Sequence, residues 1–120
     1  MSNSLFAVTF DCADAAALAR FWADVLGRQV AEGATSERAV LLPGDGDGDG
    51  SGPRITFNQV PEPKTVKNRL HLDVVSDTFD AETERLLSAG AQKLREVKRD
   101  NFRWTTFADI EGNEFDLIAG

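Results

Sequence analysis

Polar and apolar residues alternate in the segment LFAVTFDC, with Phe6, Val8, Phe10 and Cys12 on one side and Leu5, Ala7, Thr9 and Asp11 on the other. A period of two is the spacing of a strand with one apolar face, so the first predicted element is a strand. After Asp14, a good N-cap residue, the spacing lengthens to three and four: Leu18, Phe21, Trp22, Val25 and Leu26 recur at helical intervals as far as Gly27, where a helix C-cap would stand. ADAAALARFWADVLG is therefore a predicted helix. Three short strands are expected next, RQVAEG, RAVLLP and PRITFNQV, the last two separated by GDGDGDGSG. PEPKT then breaks the pattern with two prolines, which neither a helix interior nor a central strand accepts.

Beyond that linker the same order returns. RLHLDVV alternates as a strand, with Leu70, Leu72 and Val74 on one face and His71 and Asp73 on the other. Asp77 or Thr78 caps a predicted helix through FDAETERLLSAG, with Phe79, Leu86 and Leu87 inward and Gly90 at its end; QKLREV, FRWTTFAD and NEFDLI follow as strands. Laying His71 on Ala7 and Gly90 on Gly27 gives almost the same offset, the mark of an internal repeat. The predicted fold class is thus α+β: two tandem β-α-β-β-β modules forming one cupped mixed sheet with the helices outside. One domain spans 1–120, with module one over about 4–60, a linker over about 61–67 and module two over about 68–120. His71 points into the concave face.

Composition narrows the function classes. A hydrophobic fraction of 42% with 28% charged residues is ordinary for a globular chain and excludes a fibrous or disordered one. The formal net charge of −7 argues against nucleic acid as a partner, because a phosphate-binding surface needs Lys and Arg in excess, and against anionic membrane surfaces too. No apolar run approaches the roughly 20 residues of a membrane span, and MSNSLFAV lacks the order of a secretory signal, so a cytoplasmic location is expected. The single cysteine, Cys12, lies in the first strand and reads as a small buried hydrophobe. No Ser-His-Asp order, phosphate loop or CxxC pair is present.

The strand, the helix motif CADAAALARFWADVLG, the segment VPEPKTVKNRLHLDVV and the final WTTFADIEGNEFDLI together resemble the vicinal oxygen chelate superfamily, the glyoxalase, bleomycin-resistance and extradiol-dioxygenase group, over essentially the whole chain. Its glyoxalase-like domains are the nearest likeness. The resemblance implies two modules cupped around a small-molecule cavity. In metal-dependent members a divalent ion is held by side chains from the first and last strands of the modules. Here those four places are Ala7, Thr56, His71 and Asp116. Ile110 stands where the final turn usually has a proline.

Only two of those four residues are good ligands. Ala7 has no donor atom and Thr56 offers a neutral hydroxyl, whereas a catalytic divalent site normally takes at least three protein ligands. Asp73, on the His71 face, and Asp11, on the Ala7 face, are the unconventional additions. No cofactor is therefore expected, with a divalent metal as the alternative. His71 and Asp116 are the candidate catalytic pair, since a carboxylate beside imidazole fixes its tautomer and favours its charged form. Thr9, Arg54, Thr56, Asn58, Arg69 and Glu114 are expected to line the same cup as ligand contacts, with Trp104 as an apolar wall for a flat molecule. Lys64, Lys67 and Arg69 make a basic spot at the linker. Asp45, Asp47 and Asp49 imitate the opening of a calcium loop, but its twelfth position is Thr56 where a bidentate Glu is needed.

The expected function is binding of a small organic molecule in the cup between the modules without a complete metal site. The alternative is a metal-dependent lyase, isomerase or dioxygenase using His71 and Asp116, and a structural dimerisation module is the third class. The expected partner is a small-molecule ligand, and analogy with related small domains implies a homodimer.

Overall fold

The N-terminal alternation gives β1 (Ala7–Cys12), and the change to helical spacing gives α1 (Ala15–Leu26). Asp14 starts the helix by accepting a hydrogen bond from the Ala17 N–H at 3.1 Å, and Gly27, at φ 64°, ends it in the left-handed region that a side chain rarely adopts. In this computed structural model residues 3–44 and 52–120 are described. The calcium-loop look-alike at Asp45, Asp47 and Asp49 lies outside the described residues. The chain divides into two compact units, Met1–Pro63 and Lys64–Gly120.

In the first unit, β2 (Arg38–Leu41) runs antiparallel and β1 parallel to a central β3 (Arg54–Gln59), a mixed sheet of order β1-β3-β2. One face of that sheet packs on α1. Leu18, Phe21, Trp22 and Val25 from the helix are buried, as are Ile55 and Phe57 from the sheet. Phe10 lies with its ring centroid 5.6 Å from that of Trp22 and 5.4 Å from that of Phe57. Each large apolar side chain so buried contributes about 1.5–3 kcal/mol, which is what holds a single helix to a three-stranded sheet.

RQVAEG, expected as a strand, makes only an isolated bridge, Val30 with Leu41. Two backbone bonds flank it, Ala31 N–H to Val40 O at 2.9 Å and Leu42 N–H to Gln29 O at 3.0 Å. The chain then turns at Glu32 and Gly33, so its alternation is too short to extend the ladder.

The second unit contains β4 (Leu72–Ser76), α2 (Phe79–Ser88), β5 (Gln92–Arg99), β6 (Phe102–Ala108) and β7 (Glu114–Ala119). Its sheet has the order β4-β7-β6-β5, with β4 parallel to β7 and the other pairs antiparallel. The fold is therefore α+β, built from two βαβββ-like modules in tandem, with two mixed sheets and two helices among the described residues. Phe107, Phe115 and Leu117 are buried on one side of the second sheet, as are Phe79 and Leu86 of α2, and the Phe107 and Phe115 rings stack at 5.6 Å. Arg103 ties the start of α2 to the sheet: its guanidinium lies 4.3 Å over the Phe79 ring, 2.9 Å from Asp80 and 3.2 Å from Glu96.

Three local expectations change here. Leu87 is exposed and not inward, because Leu86 occupies the helix position facing the sheet. Thr78 is the N-cap residue but makes no side-chain cap bond. The strand after the linker starts at Leu72, so Leu70 is exposed and His71 stands immediately before β4. Gly90, at φ 111°, closes α2: its N–H bonds to Leu87 O at 3.2 Å and the Ala91 N–H to Leu86 O at 3.0 Å, the double bond pattern of a Schellman stop. Among the described residues no helix is long and apolar enough to cross a membrane.

Candidate functional site

The face of the second sheet opposite its buried side carries a row of cross-strand partners. Asp73 of β4 pairs with Asp116 of β7, Asp116 with Thr106 of β6, and Thr106 with Arg95 of β5. Since alternate residues of a strand share a face, Glu114 and Trp104 lie on this side as well. The position of Arg95 depends on an irregularity. Between Lys93 and Arg95 the register slips, so Lys93 pairs with Phe107 and Arg95 with Thr106, leaving Leu94 as the extra residue. Without that bulge, Leu94 would take the place of Arg95 opposite Thr106.

These residues border a groove of ≈ 170 Å³ lined by Lys67, His71, Arg95, Val97, Trp104, Thr106, Glu114 and Asp116. Its volume is below the roughly 300 Å³ at which drug-sized cavities begin, so the arrangement suits a small guest. Two cations, Lys67 and Arg95, face two carboxylates, Glu114 and Asp116, and Arg95 reaches Glu114 at 3.4 Å. The Trp104 ring supplies an apolar surface and packs at 5.5 Å on Phe102.

At one end of the groove the imidazole Nε2 of His71 lies 3.3 Å from Asp73 Oδ1 and 3.4 Å from Asp116 Oδ2. The other oxygen of Asp116 accepts a hydrogen bond from the Thr106 hydroxyl at 2.6 Å. That bond fixes the carboxylate so that Oδ2 is presented to His71. His71 itself is held by the chain before it. Asn68, three residues upstream, donates from Nδ2 to Asn113 Oδ1 at 2.7 Å, and Asn113 Nδ2 donates to the buried Asp109 carboxylate at 3.0 and 3.1 Å. Asp109 also accepts the Glu111 and Asn113 backbone N–H groups at 2.9 Å each, which shapes the EGN turn into β7.

The expected site residues divide between the units. His71, Asp116, Trp104 and Glu114 come together in the groove, with Asp73 beside them. Arg69 is exposed and does not line it. Thr9, Arg54, Thr56 and Asn58 belong to the first unit, where the parallel register places Ala7 opposite Arg54, Thr9 opposite Thr56 and Asp11 opposite Asn58, all on the face away from α1. The Thr9 and Thr56 hydroxyls are hydrogen bonded to each other, and Arg54 lies 4.2 Å over the Phe6 ring. Arg95, Val97 and Thr106 were not expected, and Lys67 was read only as part of the basic spot at the linker. Arg95 depends on the bulge, so it carries no local signal.

The four-place metal set implied by the resemblance does not fit this chain. Ala7 has no donor atom, and the Thr56 hydroxyl, in a residue only 7% exposed, is already engaged by Thr9. A different group of donors does exist: His71, Asp73 and Asp116 offer ligand atoms that all lie within 4.8 Å of one another. One imidazole and two carboxylates suit first-row divalent ions such as manganese, iron or zinc.

The sequence has no match among curated proteins. Solved structures with a similar fold include a glyoxalase-related enzyme from Fulvimarina pelagi, 18% identical over 98% of this chain and 88% of that one, with a TM-score of 0.72. A glyoxalase/bleomycin resistance protein/dioxygenase family enzyme from Burkholderia phytofirmans PsJN is 20% identical, with 98% of each chain covered and a TM-score of 0.76. A mutant of the fosfomycin resistance protein FosX from Listeria monocytogenes, complexed with Mn(II) and 1S,2S-dihydroxypropylphosphonic acid, is 18% identical over 100% of this chain and 91% of that one, with a TM-score of 0.75. The glyoxalase-like domain profile matches residues 7–118, and the chain therefore belongs to the glyoxalase-like domain family.

Proposed function

We propose that this protein binds a small polar organic molecule in the groove of its second unit, with the Trp104 ring as an apolar wall and His71 and Asp116 as polar contacts. The observation that carries this reading is the meeting of an aromatic face with Lys67, Arg95, His71, Glu114 and Asp116 around one small groove. An apolar surface gives affinity through area removed from water, and the charged groups orient the guest. Paired charges of both signs favour a guest with a donor and an acceptor over a hydrocarbon. The FosX relative, complexed with a dihydroxypropylphosphonic acid, is an instance of a polar guest on this fold. Sequestration of a toxic compound is one form of the activity and needs no catalytic residue.

Thermal-shift measurements against small carboxylic acids, hydroxy acids and flat aromatic acids test the reading. A ligand at 100 times its Kd stabilises the folded chain by about 2.7 kcal/mol. Trp104→Ala and His71→Ala should each remove that stabilisation, and a stabilisation that survives both substitutions would contradict the groove as the binding site.

A second reading, a metal-dependent lyase, isomerase or dioxygenase, is favoured by one observation, the grouping of His71, Asp73 and Asp116. It requires turnover that depends on an added ion and is lost with Asp116→Asn.

A further inference from the structure

We infer that Asp73 supplies the ligand that Ala7 and Thr56 do not, so that His71, Asp73 and Asp116 form a divalent-cation site built entirely from the second unit. The inference is independent of the organic guest proposed above, since an ion can bind whether or not that guest does.

The spacing of the donor atoms is the first reason. Nε2 of His71 stands 3.3 Å from one carboxylate oxygen and 3.4 Å from the other. Charge-assisted N–H···O bonds are about 2.7–2.9 Å long, and one imidazole N–H shared between two oxygens on different strands makes two long, bent and weak bonds. Ligand atoms about 2.1 Å from a shared ion, at octahedral or tetrahedral angles, are about 3.0–3.4 Å apart. The two separations match the ligand pattern better than the hydrogen-bond pattern.

The strand register is the second. Asp73 and Asp116 are direct partners in the parallel β4–β7 ladder, and alternate residues of both strands share the groove face. Like charges placed opposite one another destabilise a sheet. A cation between them turns that repulsion into attraction, and His71, on the residue preceding β4, stands beside both. The side chains of His71 and Asp73 are 46% and 55% exposed, so an ion can reach them from solvent.

The third is the support behind the ligands. Asp116 uses Oδ1 to accept the Thr106 hydroxyl at 2.6 Å and keeps Oδ2 for the cluster. A hydrogen bond from behind a carboxylate ligand is the usual way its orientation and basicity are set. Three protein ligands leave the remaining positions of an octahedral ion to water or to an oxygen of a guest.

The test uses the full chain without a histidine tag, stripped with chelator, and Mn(II) alone. Electron paramagnetic resonance of unbound Mn(II) gives the stoichiometry, and paramagnetic broadening of amide signals gives the location. One ion per chain is expected, with broadening centred on His71, Asp73 and Asp116. Thr106→Val should weaken binding by roughly tenfold, as loss of an outer-shell partner does, and Asp73→Asn should weaken it more. Thr56→Val should leave it unchanged. Absence of stoichiometric binding, broadening centred elsewhere, or equal affinity in Asp73→Asn would overturn the inference. So would a loss of affinity in a folded Thr56→Val chain, which would return the ion to the four-place set.

Discussion

Replacing Asn113 by Ala removes the side chain that joins the turn before β7 to the segment carrying His71. Asn113 and Asp109 are 6% and 4% exposed, so the groups left behind meet little water. The substitution deletes two contacts to the Asp109 carboxylate, at 3.0 and 3.1 Å, and the acceptor for Asn68 at 2.7 Å. Hydrogen bonds to a charged group are worth about 1.5–3 kcal/mol and a neutral one about 0.5–1.5 kcal/mol. The Glu111 and Asn113 backbone N–H groups still hold Asp109, which limits the damage. The expected loss is about 2–4 kcal/mol. Asn68→Ala should cost only about 0.5–1.5 kcal/mol, because Asn68 is exposed and water replaces part of the bond.

Urea unfolding of both single variants and the double variant, followed by circular dichroism at constant m-value, gives the coupling between Asn68 and Asn113. It is expected at about 0.5–1.5 kcal/mol. Amide exchange in residues 64–71 should quicken in either variant, since that segment loses its tie to the turn. An Asn113→Ala chain within about 0.5 kcal/mol of the parent, inside the ordinary scatter of surface substitutions, would refute the claim that this network positions His71.

Thr105 is 1% exposed and its hydroxyl has no hydrogen-bond partner among the described residues, so Thr105→Val should raise stability by about 1–2 kcal/mol in the same unfolding assay; a loss would mean that the hydroxyl is satisfied. Gly90→Ala should destabilise by about 1–3 kcal/mol, because φ is 111° and the added Cβ would stand 3.1 Å from Ile110 Cγ2; an unchanged melting temperature would contradict this. Hydrogen bonds from Lys93 and then Arg103 hold the Glu96 carboxyl below its ordinary value. A lowered acid stabilises the fold above its ordinary unfolded pKa, and that contribution is lost as pH falls through the lowered value. Glu96→Gln should therefore flatten the acid side of the stability profile, and an unchanged profile would count against these bonds.

The helix α1 was legible because cap, apolar spacing and terminal glycine agree, and all three signals are local. The alternation of His71 with Asp73 carried the face on which both stand, although the strand begins three residues later than the pattern implies. What failed was decided by partners distant in sequence. Val30 had one apolar residue to offer a neighbouring strand, so RQVAEG stopped at a bridge. Leu87 looked like core until Leu86 took the inward position. The groove residue Arg95 was invisible for a related reason, since a one-residue bulge at Leu94 redirects it, whereas Lys67 showed as part of a basic spot but its place in the groove did not, because its segment has no periodicity. Counting donors at the four family places missed that Asp73 is a direct ladder partner of Asp116, because register is a property of the folded sheet.

The groove's role is tested most directly by two-dimensional 15N NMR of the full chain titrated with small carboxylic, hydroxy and aromatic acids. The expected result is a set of shifts concentrated on Lys67, His71, Arg95, Thr106 and Asp116 and on the indole N–H of Trp104, while the indole N–H of the buried Trp22 stays in place. Shifts clustered instead on Thr9, Arg54, Thr56 and Asn58 of the first unit, or no shifts with any acid, would contradict it.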